Sequence, residues 1–188
     1  MTKAFITGIT GQDGSYLTEL LLAQGYEVHG AVRRTSTLER SRLAHLYADQ
    51  SLYNRRLFLH SADLDDPTTL RRVLTKVQPS ELYHLAGQSH VGLSFEIPET
   101  TCEFTAMGTL RLLEIMRDLP DPPRLFHAAS SEIFGQPEVE TDPGLLRPAE
   151  PMKLVGDASK ARTVLGWVPQ TTFADLIREM TLAELRLI

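Results

Sequence analysis

The sequence predicts an α/β fold, a doubly wound parallel sheet with helices on both of its faces. Three observations lead to this prediction: short apolar runs alternate with segments of helical periodicity, a glycine-rich turn joins the first run to the first helix, and the alternation continues to residue 129. The 188 residues suffice for one large domain, or for one domain with a small appendage.

Five short apolar runs predict the strands, because each is bounded by turn-forming or polar residues. They lie at residues 3–7, 27–32, 57–60, 81–85 and 124–129. The helix after the first run covers residues 15–24 and stops at Gly25, and its apolar face is formed by Leu17, Leu20 and Leu21. The next helix begins at Asp66-Pro67, a capping carboxylate before a proline, and stops before Pro79. Its helically spaced apolar residues are Leu70, Val73, Leu74 and Val77.

A longer helix is predicted over residues 100–117, with Leu110, Leu113 and Met116 among its apolar positions. The alternation ceases at residues 136–144. Beyond this stretch, residues 159–165 predict a short helix that ends at Gly166. Thr172, with Asp175 three residues later, predicts a capping box at the start of a last helix.

The turn after the first strand carries three glycines, Gly8, Gly11 and Gly14. Glycines there permit a tight turn, a close backbone approach to a pyrophosphate and close helix packing, which is typical of a Rossmann-like dinucleotide site. The alternative is a plain glycine-rich turn. The candidate cofactor-binding residues of this turn are Gly8, Ile9, Thr10, Gly11, Gln12, Asp13 and Gly14.

The end of the second strand indicates which dinucleotide binds. NAD-binding proteins place an acidic residue there, whereas this chain has two guanidiniums and two hydroxyls, which suit the 2′-phosphate of NADP. These candidates are Arg33, Arg34, Thr35 and Ser36. The alternative is a solvated basic loop. Asp63-Leu64, after the third strand, is expected at the adenine end, although Asp63 also fits a residue that merely enters the next helix.

Two further segments leave strands at the edge where ligands bind in open α/β sheets. The first consists of Leu85, Ala86, Gly87, Gln88 and Ser89. The second contains Ser130 and Glu132, whose side chains project to the same side of an extended chain and suit hydrogen bonding and proton transfer; a surface loop is the alternative. His84 is interpreted as a core histidine, and His90 stays open between a functional and a structural role.

The composition excludes several classes of protein. Hydrophobic residues make up 42% and charged residues 23%, as in ordinary globular proteins. No run approaches the ~18 apolar residues of a membrane span, and residues 1–14 do not resemble a signal peptide. The net charge of −5 argues against a nucleic-acid partner, and the single cysteine, Cys102, fits the reducing cytoplasm. No metal site is predicted.

On these residues the chain resembles the GDP-mannose 4,6-dehydratases, extended short-chain dehydrogenases/reductases. The similar runs are TGITGQDGSYL, RRTS, LAGQSHVGLSFEIPE, GTLRLLE, ASSEIFG, LLRPAEP, LVGDASKAR and LGWVPQTTFADLIREM. The resemblance implies an NADP-binding Rossmann domain at residues 1–136. It also implies a small, incomplete remnant of the sugar-nucleotide-binding domain at residues 142–188.

The resemblance further implies an activity. Members of the family carry out NADP-dependent dehydration of GDP-D-mannose to GDP-4-dehydro-6-deoxy-D-mannose, through C4 oxidation, C5/C6 elimination of water and hydride return to C6, on the way to GDP-fucose. Glu132 matches the acid/base for C5 and C6, and Ser130 matches the residue that hydrogen-bonds near O4. Ser89 matches a cofactor- and substrate-binding position, Arg147 and Glu150 match a pair near the GDP moiety, and Thr100 stands where a cofactor-contacting tyrosine is common. A homodimer or homotetramer is implied, with residues 33–56 near a neighbouring cofactor.

One departure from the family is large. The family's remaining catalytic pair is a tyrosine with a lysine four residues later, and no tyrosine of this chain has that lysine. We place the junction of a missing segment at residues 136–142. Either the printed chain joins parts of a longer protein or the segment is truly deleted. The competing functions are a non-catalytic NADP-binding module and another sugar-nucleotide dehydratase or epimerase of the same superfamily.

Overall fold

The computed structural model describes residues 1–33, 42–129 and 157–185. Its centre is a sheet of five parallel strands in the order β3-β2-β1-β4-β5. The strands are β1 (Lys3–Thr7), β2 (Glu27–Val32), β3 (Leu57–Ser61), β4 (Glu81–His84) and β5 (Arg124–His127). The order changes direction between β1 and β4, which opens a crevice at the carboxyl ends of these strands. The predicted fold class is confirmed.

Helices lie between the strands and after the last strand. They are α1 (Gln12–Ala23), α2 (Ala44–Ala48), α3 (Pro67–Val77), α4 (Val91–Glu96), α5 (Pro98–Cys102), α6 (Gly108–Arg117), α7 (Ser159–Leu165) and α8 (Phe173–Leu185). A π-helical segment, Glu103–Met107, joins α5 to α6. None of the helices in the described parts of the chain is long and apolar enough to cross a membrane.

The hydrophobic core lies in two layers because successive residues of β1 point to opposite faces. Phe5 enters the layer under α3 and α6, whereas Ala4 and Ile6 enter the layer under α1 and α2. The four apolar residues predicted to bury one face of α3 all belong to the first layer: Leu70, Val73, Leu74 and Val77. Asp66 caps α3 as predicted, accepting a hydrogen bond from the Thr69 N–H at 3.0 Å.

The structure corrects several predicted boundaries. Helix α1 begins at Gln12, before the predicted residue 15, because Gly11 occupies the N-cap with an extended backbone. Within α1, Leu21 is buried but Leu20 is exposed. Strands β4 and β5 end at His84 and His127, one and two residues early, although the N–H groups of the next residues continue the sheet hydrogen bonds.

The predicted long helix is instead three consecutive segments that begin at Pro98. Its π-helical turn contains more residues than an α-helical turn and therefore rotates everything after it. Within α6, Leu110 and Leu113 are exposed, whereas Leu112, Ile115 and Met116 are buried. Two of the three apolar positions singled out from the sequence therefore do not face the core.

The chain divides into two compact units. Residues 157–185 belong to the second unit, in which α7 has the predicted bounds and α8 begins directly after the predicted cap. Gly166 terminates α7 in a left-handed conformation, with φ of 62°. The Asp175 N–H donates to the Thr172 Oγ1 at 3.2 Å, and the Thr172 hydroxyl donates to the Asp175 carboxylate at 2.6 Å. This reciprocal pair confirms that Thr172 caps the last helix.

Candidate functional site

A cleft of about 640 Å³ opens at the carboxyl ends of the central strands, and we call it the sheet-edge cleft. It lies where an open α/β sheet binds ligands. Residues from the glycine turn, from the ends of β2 and β3 and from the segment after β4 line it together. The predicted cofactor-binding residues on its walls are Gly8, Thr10, Gly11, Gln12, Asp13, Gly14, Arg33, Asp63, Leu64, Leu85, Ala86, Gly87, Gln88, Ser89 and Thr100.

Backbone geometry explains why the turn after β1 is made of glycine. Gly8 has a φ of 74°, and a Cβ there would lie 2.8 Å from the Ala86 nitrogen. A Cβ at Gly14 would lie 2.3 Å from the Gly8 oxygen, and one at Gly11 would lie 3.1 Å from the same oxygen. Side chains at Gly8 and Gly14 would therefore force the backbone apart. The turn stays tight, and its backbone is exposed to the cleft, only because these residues are glycines.

The N-terminus of α1 forms one wall of the cleft. The first N–H groups of a helix lack partners within the helix, and the helix dipole makes this end positive. Gly11 provides no side-chain cap, and the residues of this first turn, Gln12, Asp13 and Gly14, all line the cleft. The turn therefore presents backbone donors to a ligand, an arrangement that suits a diphosphate.

Ile9 is the one described member of the predicted set that does not line the cleft. Its side chain is fully buried in the layer under α1 and α2. A Cβ at Gly30 would meet the Ile9 Cδ1 at 2.3 Å, so Ile9 fills the space above that glycine. The side chain of Ile9 therefore belongs to the core. Sequence reasoning grouped it with its neighbours because it stands between cleft-lining residues.

Two charged residues mark the end of the cleft beside β2 and β3. Arg33 and Asp63 both line it. Burial raises the pKa of Asp63, while the hydrogen bond that its carboxylate accepts from the Leu64 N–H at 2.8 Å and the nearby Arg33 act in the opposite direction. Because Asp66 performs the capping of α3, the position of Asp63 in the cleft favours a ligand-facing role over helix entry.

The segment after β4 forms the opposite wall. The Gln88 N–H donates to the Thr105 hydroxyl at 3.3 Å, which ties this segment to the π-helical turn. His90 is exposed and accepts a hydrogen bond at Nδ1 from the Leu93 N–H at 3.0 Å, so it caps α4. This contact favours the structural role for His90. The prediction that His84 lies in the core is confirmed, because only 1% of its surface is exposed.

The cleft also contains residues that sequence reasoning missed: Thr7, Ala31, Ala62, Leu70, Thr101 and Phe104. Thr7, Ala31 and Ala62 lie at the ends of strands, and their small size at those positions was a usable signal. Thr101 and Phe104 belong to the helix after β4. Only the packing of that helix brings them to the sheet edge, and no local pattern marks them.

Other predicted site residues lie outside the described residues, namely Arg34, Thr35, Ser36, Ser130, Glu132, Arg147 and Glu150. Among the residues whose positions are described, no group of three or more His, Cys, Asp or Glu side chains is arranged to hold a metal ion.

A family model and individual relatives point to the same protein family. The family model described as GDP-mannose 4,6 dehydratase matches residues 5–141 and 136–180. A GDP-mannose 4,6-dehydratase from Yersinia enterocolitica is 50% identical over 149 residues, which are 76% of this chain and 40% of that protein. The chain therefore spans about two fifths of the length of this curated relative.

Solved structures show the same fold. A crystal structure of UDP-glucose 4-epimerase from Bifidobacterium longum, in complex with NAD+ and UDP, matches with a TM-score of 0.62 and 21% identity, over 73% of this chain and 40% of that one. A UDP-glucose 4-epimerase from Thermus thermophilus, in complex with NAD, matches with a TM-score of 0.50 and 27% identity, over 62% of this chain and 34% of that one.

Proposed function

Because the chain belongs to the GDP-mannose 4,6-dehydratase family, we propose that the sheet-edge cleft binds NADP and that the protein of which it forms part dehydrates GDP-D-mannose to GDP-4-dehydro-6-deoxy-D-mannose. The observation that carries the proposal is the glycine turn, where a Cβ at Gly8 or Gly14 would collide with backbone. A turn held this close keeps the N-terminus of α1 open to a diphosphate.

The dinucleotide is proposed to lie along the cleft. The diphosphate would lie against the turn at Gly11 and the first turn of α1. The adenosine half would extend toward Arg33 and Asp63, and the nicotinamide half toward the segment Leu85–Ser89. The Thermus thermophilus relative, which is 27% identical, is a complex with NAD, and this supports a nicotinamide dinucleotide as the class of cofactor.

Arg33 supports NADP over NAD. A guanidinium at the end of β2 matches phosphate oxygens, whereas a ribose 2′-hydroxyl is ordinarily held by a carboxylate at this position. Arg33 lines the cleft. Arg34, Thr35 and Ser36, which follow it in the chain, are proposed to complete the 2′-phosphate site.

The proposed reaction oxidises the sugar at C4, eliminates water across C5 and C6, and then reduces the sugar at C6. The cleft residues around Gly8–Gly14 and Arg33 would hold NADP, which would supply a reversible hydride acceptor for the sugar. We assign Glu132 to the removal of the C5 proton and to the departure of water from C6, and Ser130 to a hydrogen bond near O4. Arg147 and Glu150 are assigned to the GDP moiety, and Ser89 to both ligands. A carboxylate suits this proton transfer because the C4 ketone acidifies C5.

The 188 residues alone are proposed to bind NADP without catalysing turnover. Oxidation of the C4 hydroxyl needs a stronger base than a serine hydroxyl, and no tyrosine here has a lysine four positions later to lower its pKa. The two segments matched by the family model meet at residues 136–141. This position supports a junction within residues 136–142, between an NADP-binding domain and a part of the sugar-nucleotide domain.

Titration of the 188-residue chain with NADPH and NADH, followed by incubation with NADP and GDP-mannose, tests the proposal. We expect saturable binding with preference for NADPH and no 4-keto product, while the Yersinia enterocolitica enzyme, run in parallel, forms the product. No binding of either dinucleotide would refute the cofactor assignment. Product formed by the 188 residues would refute the need for the tyrosine and lysine.

The missing tyrosine–lysine pair also favours a second candidate, a non-catalytic NADP-binding module. The intact mass of the protein isolated from its source distinguishes the two. A mass of 21.0 kDa supports the module, and a much larger mass supports the dehydratase. For an enzyme of full length, Glu132→Gln is expected to abolish elimination while NADP remains bound. Another dehydratase or an epimerase of the superfamily would instead process a different sugar nucleotide in the same assay.

We further propose a cytoplasmic homodimer or homotetramer, in which residues 33–56 lie near the cofactor of a neighbouring subunit. The single cysteine is consistent with a reducing compartment. Deleting residues 34–41 should lower both the sedimentation coefficient and the affinity for NADP. Unchanged sedimentation would contradict the placement of this loop near a neighbouring subunit.

A further inference from the structure

A continuous chain of hydrogen bonds runs through the buried side chain of His84. The Nδ1 atom of His84 lies 2.6 Å from the Thr7 Oγ1, and its Nε2 atom lies 3.0 Å from the Thr109 Oγ1. The Thr109 Oγ1 in turn lies 2.6 Å from the backbone oxygen of Thr105. At the other end, the Ala86 N–H points to the Thr7 Oγ1 over 3.4 Å. The chain of hydrogen bonds thus links β1 and β4 to the π-helical segment and α6.

The direction of every proton in this chain follows from its ends. A carbonyl oxygen only accepts, so the Thr109 hydroxyl gives its single proton to Thr105 and must accept from the Nε2 of His84. The backbone N–H of Ala86 only donates, so the Thr7 oxygen accepts from it. In a neutral ring with the proton on Nε2, the Nδ1 atom accepts from the Thr7 hydroxyl. All donors and acceptors are then satisfied.

The surroundings of His84 keep the ring neutral. Burial, and then the neighbouring His127, lower its pKa to about 4. The groups that face the ring are the Thr7 hydroxyl from β1, the Thr109 hydroxyl from α6 and the His127 ring from β5, whose centroid is stacked at 4.8 Å. None of these contacts is a carboxylate that would stabilise an imidazolium. The Nε2–H tautomer is therefore the form that fits the site at neutral pH.

Both ends of the chain reach the wall of the sheet-edge cleft. Thr7 lines the cleft, and its backbone oxygen accepts from the Leu85 N–H at 3.1 Å. Thr105 carries the second hydrogen bond of this wall, from the Gln88 N–H. Thr105 lies within the π-helical segment, which sets the register that brings Thr105 and Thr109 toward β4. The wall formed by Leu85–Gln88 is therefore held at both ends by partners that His84 connects.

We propose that His84 is a positioning residue of the sheet-edge cleft, which as the neutral Nε2–H tautomer ties Thr7 to Thr109 and fixes the backbone of Leu85–Gln88. This role deepens the proposed function, and its effect on NADP affinity rests on that function. The effect of His84 on the backbone of Leu85–Gln88 does not rest on the proposed function. His84 touches neither substrate nor cofactor in this role, and it acts through Thr7 and through the Thr105–Thr109 turn.

Two substitutions at His84 and one control isolate the role. His84→Leu removes both hydrogen bonds, whereas His84→Asn keeps an oxygen that accepts from the Thr7 hydroxyl. His29→Leu is the matched control, because His29 is equally a buried sheet histidine with both ring nitrogens paired, to Glu27 and His60, and it does not line the cleft. The measurements are the ring ¹⁵N shifts of His84, amide exchange at Ala86 and Gln88, and the NADPH dissociation constant at equal folded fraction.

We expect the ¹⁵N shifts of the unsubstituted chain to show a protonated Nε2 and a bare Nδ1. In His84→Leu, hydrogen exchange at the Ala86 and Gln88 amides should become about tenfold faster relative to the slowest core amides. The dissociation constant for NADPH should rise about tenfold. His84→Asn should show smaller increases in the amide exchange rates and in the NADPH dissociation constant. His29→Leu should change neither of these quantities. A proton on Nδ1 alone, or equal changes in His84→Leu and His29→Leu, would overturn the proposal. Absence of NADPH binding to the unsubstituted chain would refute the proposed function, while the shifts and the exchange would still decide the role of His84.

Discussion

Gly14 packs directly against Gly8, so closely that a Cβ on Gly14 would lie 2.3 Å from the Gly8 carbonyl oxygen. The contact lies between the first turn of α1 and the loop that precedes it. Because Gly8 itself has a backbone conformation that favours glycine, neither partner can move aside without disturbing the turn. The pair therefore fixes both the entry of α1 and the shape of the diphosphate wall.

Gly14→Ala should abolish NADPH binding and destabilise the fold by about 2 kcal/mol or more, because the new methyl group overlaps backbone that cannot yield. Gly25→Ala is the matched control. Gly25 has a φ of 87° but open space around its Cβ position, so alanine there should cost only about 1 kcal/mol and leave binding unchanged. Fluorescence titration and urea denaturation measure the two effects. Normal binding by Gly14→Ala would contradict the glycine cradle.

Arg33→Ala should weaken NADPH binding about tenfold or more and leave NADH binding nearly unchanged, because only NADPH carries the phosphate that the guanidinium pairs with. Arg55→Ala is the control, since Arg55 is exposed, belongs to the same basic region and does not line the cleft. Parallel titrations with both dinucleotides give the ratio. An equal loss for NADPH and NADH would show that Arg33 does not select the 2′-phosphate.

Much of this fold follows from local sequence. Strands β1 and β2 have the predicted bounds, and the caps at Asp66 and Thr172 are where the sequence places them. These features depend on neighbours within a few residues, so the sequence records them directly. The glycine turn is partly of the same kind, because Gly14 is required by its contact with Gly8, whereas a Cβ at Gly8 would meet Ala86 after β4.

Other features depend on contacts that no local pattern encodes. Helices α2 and α4 have only five and six residues, too few for a periodic signal. The π-helical turn at Glu103–Met107 breaks the 3.6-residue period on which the prediction of exposed and buried faces depends. Phe104 becomes part of the cleft, and Thr109 becomes a partner of His84, only through the packing of the π-helical segment and α6 on the sheet.

Asp66→Ala should lower the free energy of unfolding, because α3 loses the carboxylate that accepts from the Thr69 N–H. The pKa of Asp66 is lowered from 3.8, chiefly by the hydrogen bonds from the side chain and backbone of Thr69, so the stabilisation by this cap should be lost as the carboxylate is protonated in acid. Asp65→Ala, at the exposed neighbouring position, is the control and should change stability little. Urea denaturation at pH 7 measures both, and equal losses would contradict the capping role.

Mild acid should destabilise the fold through its buried histidines. Burial is the largest cause that lowers the pKa values of His60 and His84 to about 4, from an ordinary value of 6.5. Between about pH 6.5 and pH 4 the unfolded chain binds protons that the folded chain does not, so stability present above pH 6.5 is lost as the pH falls. Each group contributes a slope of up to about 1.4 kcal/mol per pH unit.

Denaturation by urea at pH 7, 6 and 5 measures this slope. His84→Asn removes the contribution of His84, while His60 and His29, whose pKa is also lowered by burial, still contribute. The variant should be less stable at pH 7 but should lose less stability on acidification, with a slope shallower by up to about 1.4 kcal/mol per pH unit. The hydrogen bond from His29 lowers the pKa of Glu27, so this carboxylate contributes only through its own acid titration, which His84→Asn leaves unchanged. An unchanged slope in His84→Asn would mean that the folded chain protonates His84 as readily as the unfolded chain does, which would also contradict the neutral ring required by its contacts with Thr7 and Thr109.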